Sequence, residues 1–275
     1  MRAIEQQTIM ITGATDGLGR ALARELAARG ATLVLHGRSD RKGEDLLAEL
    51  RAATGNDRLS FLRADFANLA DVHALAERAA GLDRLDALVN NAGLASPDRQ
   101  VSADGHELTF QVDYLAGYVL AVRLAPLLAR SAPARIVHVS SAGQAPIDFA
   151  DPMLTRGYDA MQAYCQAKLA QIMLTVDLAE ALSGQGVTAN ALHPATFMPT
   201  KILMGVAPHS TLEEGMRNTL RLITDPALDD VSGQYFDGTR HARAAHDAYD
   251  PEARRRLREL SEKLTGAPFP APEKD

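Results

Sequence analysis

Residues 8–19, TIMITGATDGLG, contain the pattern that decides the fold. Residues 8–12 form a short, apolar, β-branched run, which is typical of a buried parallel strand. The run leads into glycines spaced G-x-x-x-G-x-G and then into leucines at helical spacing that end near Gly30. An isolated glycine-rich sequence could be an ordinary tight turn. Between a strand and a helix it predicts a dinucleotide site, because glycines let the backbone approach a pyrophosphate at the helix N-terminus.

The rest of the chain alternates between apolar runs and amphipathic segments. Further strands are predicted at residues 31–35, 59–63, 85–89, 134–139, 187–192 and 233–236. The alternation predicts an α/β fold, a single doubly wound (Rossmann) domain over residues 1–275 with a mainly parallel seven-stranded sheet. Within it, residues 196–225 are predicted to cover the ligand crevice as a substrate lid. The Pro-rich residues 266–275 are predicted to be a loose tail.

Composition excludes several classes of function. The 275 residues carry a formal net charge of -6, which gives no basic footprint for nucleic acid. The single cysteine rules out an internal disulfide framework and fits a reducing compartment. We see no signal peptide and no apolar run near the roughly 18 residues of a membrane span. We therefore expect a cytoplasmic protein without an integral membrane segment.

The end of the second strand indicates which dinucleotide is bound. An acidic residue there favours NAD, whereas an arginine favours the 2′-phosphate of NADP. Here the strand ends in His36-Gly37-Arg38, and Arg38 is well placed for a phosphate. Arg38 could equally be an ordinary surface charge, and Asp40 is close enough to keep NAD as an alternative. We expect NADP, with NAD as the second choice.

Polar residues follow the third and fourth strands. Asp65 and Phe66 come after the third, where the carboxylate could accept from an adenine amino group or cap the next helix. Residues 90–93, NNAG, follow the fourth strand. They suit a tight turn beside a cofactor, although Asn-rich turns are common in general.

Candidate catalytic groups lie in the second half of the chain. Tyr164 and Lys168 are four residues apart in a helix-like run and so share one helix face. A phenol titrates near pH ~10, and an ammonium close by would stabilise the phenolate and allow proton transfer near neutral pH. The same spacing is common in surface pairs. Ser140 and Ser141 end the fifth strand, at the edge where open α/β sheets bind ligands.

Four motifs in this order, TGATDGLG, NNAG, IVHVSS and YCQAK, resemble the short-chain dehydrogenase/reductase family over nearly the whole chain. The runs AYCQAKLAQIMLTVDLAEAL, NALHPAT and GQYFDG are most similar to its retinol-dehydrogenase-like branch. That branch oxidises or reduces lipophilic alcohols and carbonyls, usually with NADP.

The resemblance implies a role for each matching residue. Tyr164 would be the general acid or base, Lys168 would lower its pKa and bind the nicotinamide ribose, and Ser141 would donate to the substrate oxygen. Hydride would pass between the nicotinamide and the carbonyl carbon. The implied cofactor contacts are Gly13, Thr15, Asp16, Gly17, Leu18, Gly19, Arg38, Asp65, Phe66, Asn91, Ala92, Gly93, Tyr164, Lys168 and Pro194. No metal is implied.

Two positions depart from the family pattern. Asp113 stands where an asparagine is usual, and that residue helps to hold a proton-relay water near the lysine. An ionised Asp113 would pair with Lys168 and weaken its effect on Tyr164, whereas a protonated Asp113 could still donate and accept. We expect the relay to persist with a shifted pH optimum. The second departure, Pro194-Ala195 in place of Pro-Gly, could alter how the backbone meets the nicotinamide amide.

Three functions remain compatible with these residues. The first is an NADP-dependent carbonyl reductase or alcohol dehydrogenase. The others keep the cofactor site in a non-redox lyase, cyclase or epimerase, or in a cofactor sensor without catalysis. A small lipophilic substrate is suggested by apolar residues that could also be packing: Pro146, Ile147, Phe149, Met153, Ile202, Leu203 and Met204. Long Ala/Leu-rich helices permit the homodimer or homotetramer common in the family.

Overall fold

In the computed structural model, which describes residues 1–203 and 206–270, one eight-stranded sheet has the order β3-β2-β1-β4-β5-β6-β7-β8. The strands are β1 (Thr8–Ile11), β2 (Thr32–Gly37), β3 (Leu59–Arg63), β4 (Ala87–Asn90), β5 (Ala134–Val139), β6 (Val187–His193), β7 (Gln234–Asp237) and β8 (Arg240–Ala242). The helices are α1 (Gly17–Ala28), α2 (Asp40–Thr54), α3 (Leu69–Ala80), α4 (Leu108–Ser131), α5 (Ala160–Ala181), α6 (Leu212–Thr224) and α7 (Pro251–Thr265). Short 3₁₀ turns occur at Ile4–Gln6, Lys201–Leu203, Pro226–Leu228 and His246–Tyr249.

The predicted doubly wound α/β fold is confirmed, with one strand more than expected. β1 to β7 are parallel and occupy the seven predicted positions, whereas β8 pairs with β7 in the antiparallel sense. β8 is only three residues long, and two of them, Arg240 and His241, are exposed. Such a short polar edge strand leaves no apolar alternation in the sequence, which is why the prediction missed it.

Each face of the sheet has its own core. Leu88 and Ile136 point to the face covered by α3, α4 and α5, whereas Val89 and Val137 point to the face covered by α1 and α6. The strand order reverses between β1 and β4, so the loops after these strands diverge. The crevice that this opens at the carboxyl edge of the sheet is the usual ligand position in such folds.

α4 differs from what the sequence suggested. Among the described residues, this helix alone is long and apolar enough to cross a membrane by length and composition, contrary to the expectation that no run would meet that test. Its most apolar window is 78% buried in the fold, as in the core helix of a soluble protein. The helix also contains a π-helical turn at Gln111–Leu115, a feature that is frequent at functional sites.

Parts of the predicted substrate lid and of the predicted loose tail are packed on the rest of the fold. α6 lies within the predicted lid, but Leu220, Leu222 and Ile223 are buried, so this part belongs to the core. In the predicted tail, the Ala267 carbonyl accepts from the Tyr118 hydroxyl at 2.9 Å. The Phe269 ring stacks on the same tyrosine. Residues 271–275 of the predicted tail lie outside the described residues.

Candidate active site

The glycine-rich turn after β1 is pressed against the turn after β4. Gly13 has a φ of 66°, and a Cβ there would lie 2.9 Å from the Ala92 Cα, while a Cβ at Gly19 would overlap the Gly13 carbonyl. Only glycine fits these two positions, because one needs a left-handed backbone and both lack room for a side chain. The backbone of the turn therefore remains bare at the N-terminus of α1, as pyrophosphate binding requires.

Thr12 fastens the two turns together. Its hydroxyl oxygen accepts from the backbone N–H groups of Asn91 (2.9 Å) and Ala92 (3.0 Å). The Asn91 side chain in turn donates to the Thr12 carbonyl at 2.8 Å. The Asn91 amide donors are thus used within the protein, where they fix the glycine turn. The sequence prediction missed Thr12, although a hydroxyl at the end of β1 was the available signal.

Asp16 caps α1 and pairs with Lys201 of the segment that follows β6. Its carboxylate accepts from the Gly17 N–H at 2.9 Å and forms an exposed ion pair with Lys201. The hydrogen bond from Lys201 is the largest cause that lowers the pKa of Asp16. A Cβ at Gly17 would lie 3.3 Å from Thr200 Cγ2, so the segment rests directly on the glycine turn. The neighbouring Leu18 side chain is buried in the core, which leaves its backbone as the part that can face a cofactor.

His36 organises the side of the crevice expected to hold adenosine. Its Nδ1 accepts from the Gly13 N–H (3.3 Å), its Nε2 lies 3.1 Å from the Ala64 carbonyl, and its ring stacks on Phe66 with centroids 4.2 Å apart. These contacts assign the proton to Nε2. Burial lowers the pKa of His36 to about 4, so the ring remains neutral. This role of His36 was not predicted from the sequence.

Asp65 does not cap α3, which was one of the two roles predicted for it from the sequence. α3 is capped by Asn68, whose side chain accepts from the Ala70 N–H at 3.0 Å. The Asp65 carboxylate accepts from the Ala67 N–H at 3.0 Å within its own turn. The capping alternative is therefore wrong.

Arg38 lies just after β2 and is exposed. It forms no ion pair with any residue that the structure describes. Next to it, a Cβ at Gly37 would lie 2.8 Å from Thr15 Cγ2, so Thr15 packs on the end of β2. A cleft of about 280 Å³ opens here between α1 and α2, with Arg20 and Lys42 among its lining residues. Asp16, Asp45 and Glu49 also line this cleft, and Arg20 pairs with Glu49, so its charge is mixed.

Ser141 Oγ and the Tyr164 ring both lie beside Gly143. A Cβ placed on Gly143 would lie 3.6 Å from Ser141 Oγ and 3.9 Å from Tyr164 Cε1. Ser141 Oγ accepts from the Gly143 N–H at 3.1 Å, which leaves its own proton free to be donated. The Ser140 hydroxyl instead donates to the Lys168 carbonyl at 2.7 Å. Ser140 therefore supports the fold, and Ser141 is the serine that faces the crevice.

Lys168 and Asp113 form a buried ion pair behind Tyr164. Lys168 Nζ lies 3.0 Å from Asp113 Oδ2, 3.3 Å from the Val139 carbonyl and 5.3 Å from the centre of the Tyr164 ring. Asp113 comes from the π-helical turn of α4, and its Oδ1 accepts from the Leu94 N–H at 2.7 Å. The predicted encounter of Asp113 with Lys168 is therefore present in the structure.

The charges of this pair influence each other strongly. Burial raises the pKa of the Asp113 carboxyl, and the nearby Lys168 ammonium only partly offsets this. Burial alone would lower the pKa of Lys168, but the Asp113 carboxylate and the Tyr164 phenol outweigh it, so the net shift is upward. Gly93 covers the pair, because a Cβ there would lie 3.0 Å from Asp113 Oδ2 and 3.3 Å from Lys168 Nζ.

Pro194 follows β6 at the same edge of the sheet. Its carbonyl accepts from the Asn218 side chain at 2.8 Å, which ties this turn to α6. The structure therefore gathers the predicted residues around one crevice. The glycine turn follows β1, and Asn91 to Gly93 follow β4. Ser141 follows β5, and Pro194 follows β6. Tyr164 and Lys168 lie on α5.

Comparison with known proteins assigns the family. A family profile described as short chain dehydrogenase matches residues 7–210. The chain belongs to the short-chain dehydrogenase family. Retinol dehydrogenase 13 of Mus musculus is 34% identical to it over 284 residues, covering 96% of this chain and 85% of that protein. The resemblance to the retinol-dehydrogenase-like branch is thereby confirmed.

Solved structures share the fold of this chain. An uncharacterised protein from Mycobacterium paratuberculosis superposes with a TM-score of 0.81 at 29% identity, covering 96% of this chain and 95% of that one. The RhlG/NADP complex of Pseudomonas aeruginosa superposes with a TM-score of 0.69 at 25% identity, covering 86% and 97%. The chain is thus an oxidoreductase of a family that uses a nicotinamide cofactor. The bare glycine turn at the N-terminus of α1 fits the pyrophosphate of such a cofactor.

Proposed function

We propose that this short-chain dehydrogenase interconverts lipophilic carbonyl compounds and alcohols with NADP(H). The observation that carries the proposal is the convergence of Ser141 Oγ and Tyr164 beside Gly143, with Lys168 behind the tyrosine. A proton donor and a second hydrogen-bond donor aimed at one point suit a carbonyl oxygen that gains negative charge.

The roles of the residues follow from this arrangement. When bound, the nicotinamide would supply or accept the hydride. Tyr164 gives a proton to the substrate oxygen during reduction and takes it back during oxidation. Ser141 donates its free proton to the same oxygen, because its acceptor side is already used by Gly143. The Lys168 ammonium stabilises the phenolate that Tyr164 becomes.

Several features support NADP over NAD. Arg38 is exposed at the end of β2 and is not engaged by any described acid, and no acidic residue ends the strand. An arginine fork suits a phosphate, which is the group that distinguishes NADP. The NADP bound by the related RhlG agrees with this choice.

Exposed apolar side chains support a lipophilic substrate. Met161 is 53% exposed one turn before Tyr164, and Phe197 is 44% exposed after β6. Phe197 also has a φ of 48°, a strained conformation for a side chain of this size. The relatives named retinol dehydrogenases point to the same substrate class. Of the residues suggested by the sequence, Ile147, Phe149 and Met153 pack on the core, and Met204 lies outside the described residues.

The segment after β6 is the proposed substrate lid, and we restrict it to residues 196–211, of which residues 204 and 205 lie outside the described residues. Its beginning rests on the glycine turn through Thr200 and the ion pair of Lys201 with Asp16. The helix α6 that follows is packed on the core and lies outside the moving part. The ion pair of Lys201 with Asp16 is exposed, and such pairs contribute little, so its release would cost little free energy when the lid opens.

The proposed function is tested by following NADPH absorbance with all-trans-retinal, nonanal and a lipophilic ketone, with NADH assayed in parallel. We expect NADPH to be consumed by wild type and not by Tyr164→Phe. Product formed without consumption of NADPH would assign the non-redox alternative. If NADPH binds tightly but no compound is converted to product, the result would favour a cofactor sensor without catalysis.

A further inference from the structure

The peptide of Ser141 lies just beyond the end of the sheet. The last backbone bond between β5 and β6 runs from the Ser140 N–H to the Leu192 carbonyl at 2.8 Å. The Ser141 carbonyl therefore cannot be fixed by strand pairing. It accepts from two side chains instead, the Tyr235 hydroxyl at 3.0 Å and the Gln144 amide at 3.1 Å.

Both donors are themselves anchored in the C-terminal part of the chain. Tyr235 lies on β7, is 4% exposed, and pairs in register with Ala191 of β6. The Gln144 side-chain oxygen accepts from the Ala245 N–H at 2.7 Å, so its amide cannot rotate freely. Two elements remote in sequence thus hold one peptide at the end of β5.

We propose that Tyr235, assisted by Gln144, is a positioning residue that aims the Ser141 hydroxyl at the substrate oxygen. The inference rests on the proposed function. Ser141 Oγ accepts from Gly143, two residues on, so the hydroxyl and the carbonyl of Ser141 belong to one tight turn. A hydrogen bond that fixes the Ser141 carbonyl therefore also fixes the turn that carries its hydroxyl. The position of this hydroxyl matters because a small misplacement of a donor in an active site lowers the rate.

Tyr235 is suited to act as a permanent donor. Burial, assisted by the charge of Asp237, raises the pKa of Tyr235 to about 12. The Tyr235 hydroxyl therefore keeps its proton near neutral pH and remains a donor to the Ser141 carbonyl. Tyr235 thus holds the turn at Ser141, whereas Tyr164 is the tyrosine proposed to act on the substrate.

The test compares Tyr235→Phe with Tyr118→Phe. Tyr118 is a matched control, because it is also buried and its hydroxyl also donates to a backbone carbonyl, that of Ala267. With nonanal and NADPH as probes, we expect kcat of Tyr235→Phe to fall about tenfold while the Kd for NADPH is unchanged. Tyr118→Phe should keep kcat within about twofold, because the Tyr118 hydroxyl holds the C-terminal segment and not a turn of the site.

A double-mutant comparison separates positioning from a general structural role. In a Ser141→Ala background, Tyr235→Phe should cause no further loss of kcat, because the group that it positions is gone. An undiminished kcat in the single variant, or an equal loss in both backgrounds, would overturn the proposal. Should Tyr235→Phe fail to fold, Gln144→Leu removes the other donor and is judged by the same two criteria.

Hydrogen exchange tests the proposal even if wild type consumes no NADPH with any probe. That result would contradict the proposed function, but the contact with the Ser141 carbonyl could still be examined. We expect amides of residues 141–145 to exchange about fivefold faster in Tyr235→Phe and at the wild-type rate in Tyr118→Phe. Unchanged exchange in Tyr235→Phe would overturn the positioning role.

Discussion

Lys168 Nζ lies 3.0 Å from Asp113 Oδ2, and both side chains are buried. The lysine that would stabilise the Tyr164 phenolate thus shares its charge with a carboxylate, at a position where the family usually has an asparagine. The Asp113 carboxylate raises the pKa of Lys168 because it stabilises the ammonium. The same carboxylate reduces the positive potential that Lys168 exerts at Tyr164.

Asp113→Asn should shift the pH dependence of the reaction. Without the carboxylate, the charge of Lys168 acts undiminished and favours the ionised phenol. We expect the acid limb of kcat/KM for alcohol oxidation to move to lower pH by roughly one unit. Asp57→Asn, at an exposed residue remote from the crevice, serves as control. An identical profile in Asp113→Asn and wild type would argue against the coupling.

Arg38→Ala should change the preference between the two nicotinamide cofactors. Loss of a charged hydrogen bond to the 2′-phosphate should lower kcat/KM for NADPH by about 10- to 100-fold. The value for NADH should stay nearly constant, because NADH lacks that phosphate. The matched control is Arg24→Ala, an exposed arginine on α1. Equal losses with both cofactors would mean that Arg38 does not contact the phosphate.

Gly93→Ala should disturb the ion pair without unfolding the protein. A methyl group there would lie 3.0 Å from Asp113 Oδ2, so the carboxylate must shift. We expect kcat to fall about tenfold, with a small change in Tm. Gly81→Ala is the control, since its Cβ would lie 3.4 Å from its nearest neighbour outside the site. Wild-type kcat in Gly93→Ala would show that the pair tolerates displacement.

His138 should make the protein sensitive to acid. It is fully buried on β5, and neither ring nitrogen has a hydrogen-bond partner within the described residues. Burial, with a smaller effect of Lys168, lowers its pKa to about 3, whereas the unfolded chain binds this proton near pH ~6.5. Between these values only the unfolded state is protonated, so the free energy of unfolding decreases as the pH falls from 6.5 towards 3.

The contribution of His138 can be isolated by substitution. In His138→Asn, the slope of the unfolding free energy against pH should be smaller than in wild type by about 1.4 kcal/mol per pH unit between pH 6 and 4. Urea unfolding at each pH gives the slope. Exposed His246, replaced in the same way, should leave it unchanged. A wild-type slope in His138→Asn would mean that His138 is protonated in the folded protein.

Local sequence signals predicted the parts of the site that depend on spacing. The apolar runs located seven strands, the glycines located the turn after β1, and the four-residue spacing placed Tyr164 and Lys168 on one helix face. The family pattern also anticipated that Asp113 would meet Lys168. These predictions succeeded because each relies on residues close in sequence or on a recognisable motif.

Long-range contacts made by ordinary core residues could not be predicted. Tyr235 appears in the sequence as one aromatic residue of an apolar strand, and its partner, the Ser141 carbonyl, is 94 residues away. His36 likewise looks like a core histidine until the fold brings Gly13 and Ala64 to its two nitrogens. The Pro-rich end of the chain suggested a loose tail, because nothing local indicates that Phe269 packs on Tyr118.

The central claim is that Tyr164 transfers the proton while NADPH delivers the hydride. It is tested most directly by measuring NADPH consumption with all-trans-retinal for wild type and Tyr164→Phe, after confirming that both bind NADPH equally. We predict turnover by wild type and a loss of at least about 100-fold in the variant, as expected for removal of a general acid. Equal NADPH consumption by the two proteins would contradict the assignment of Tyr164.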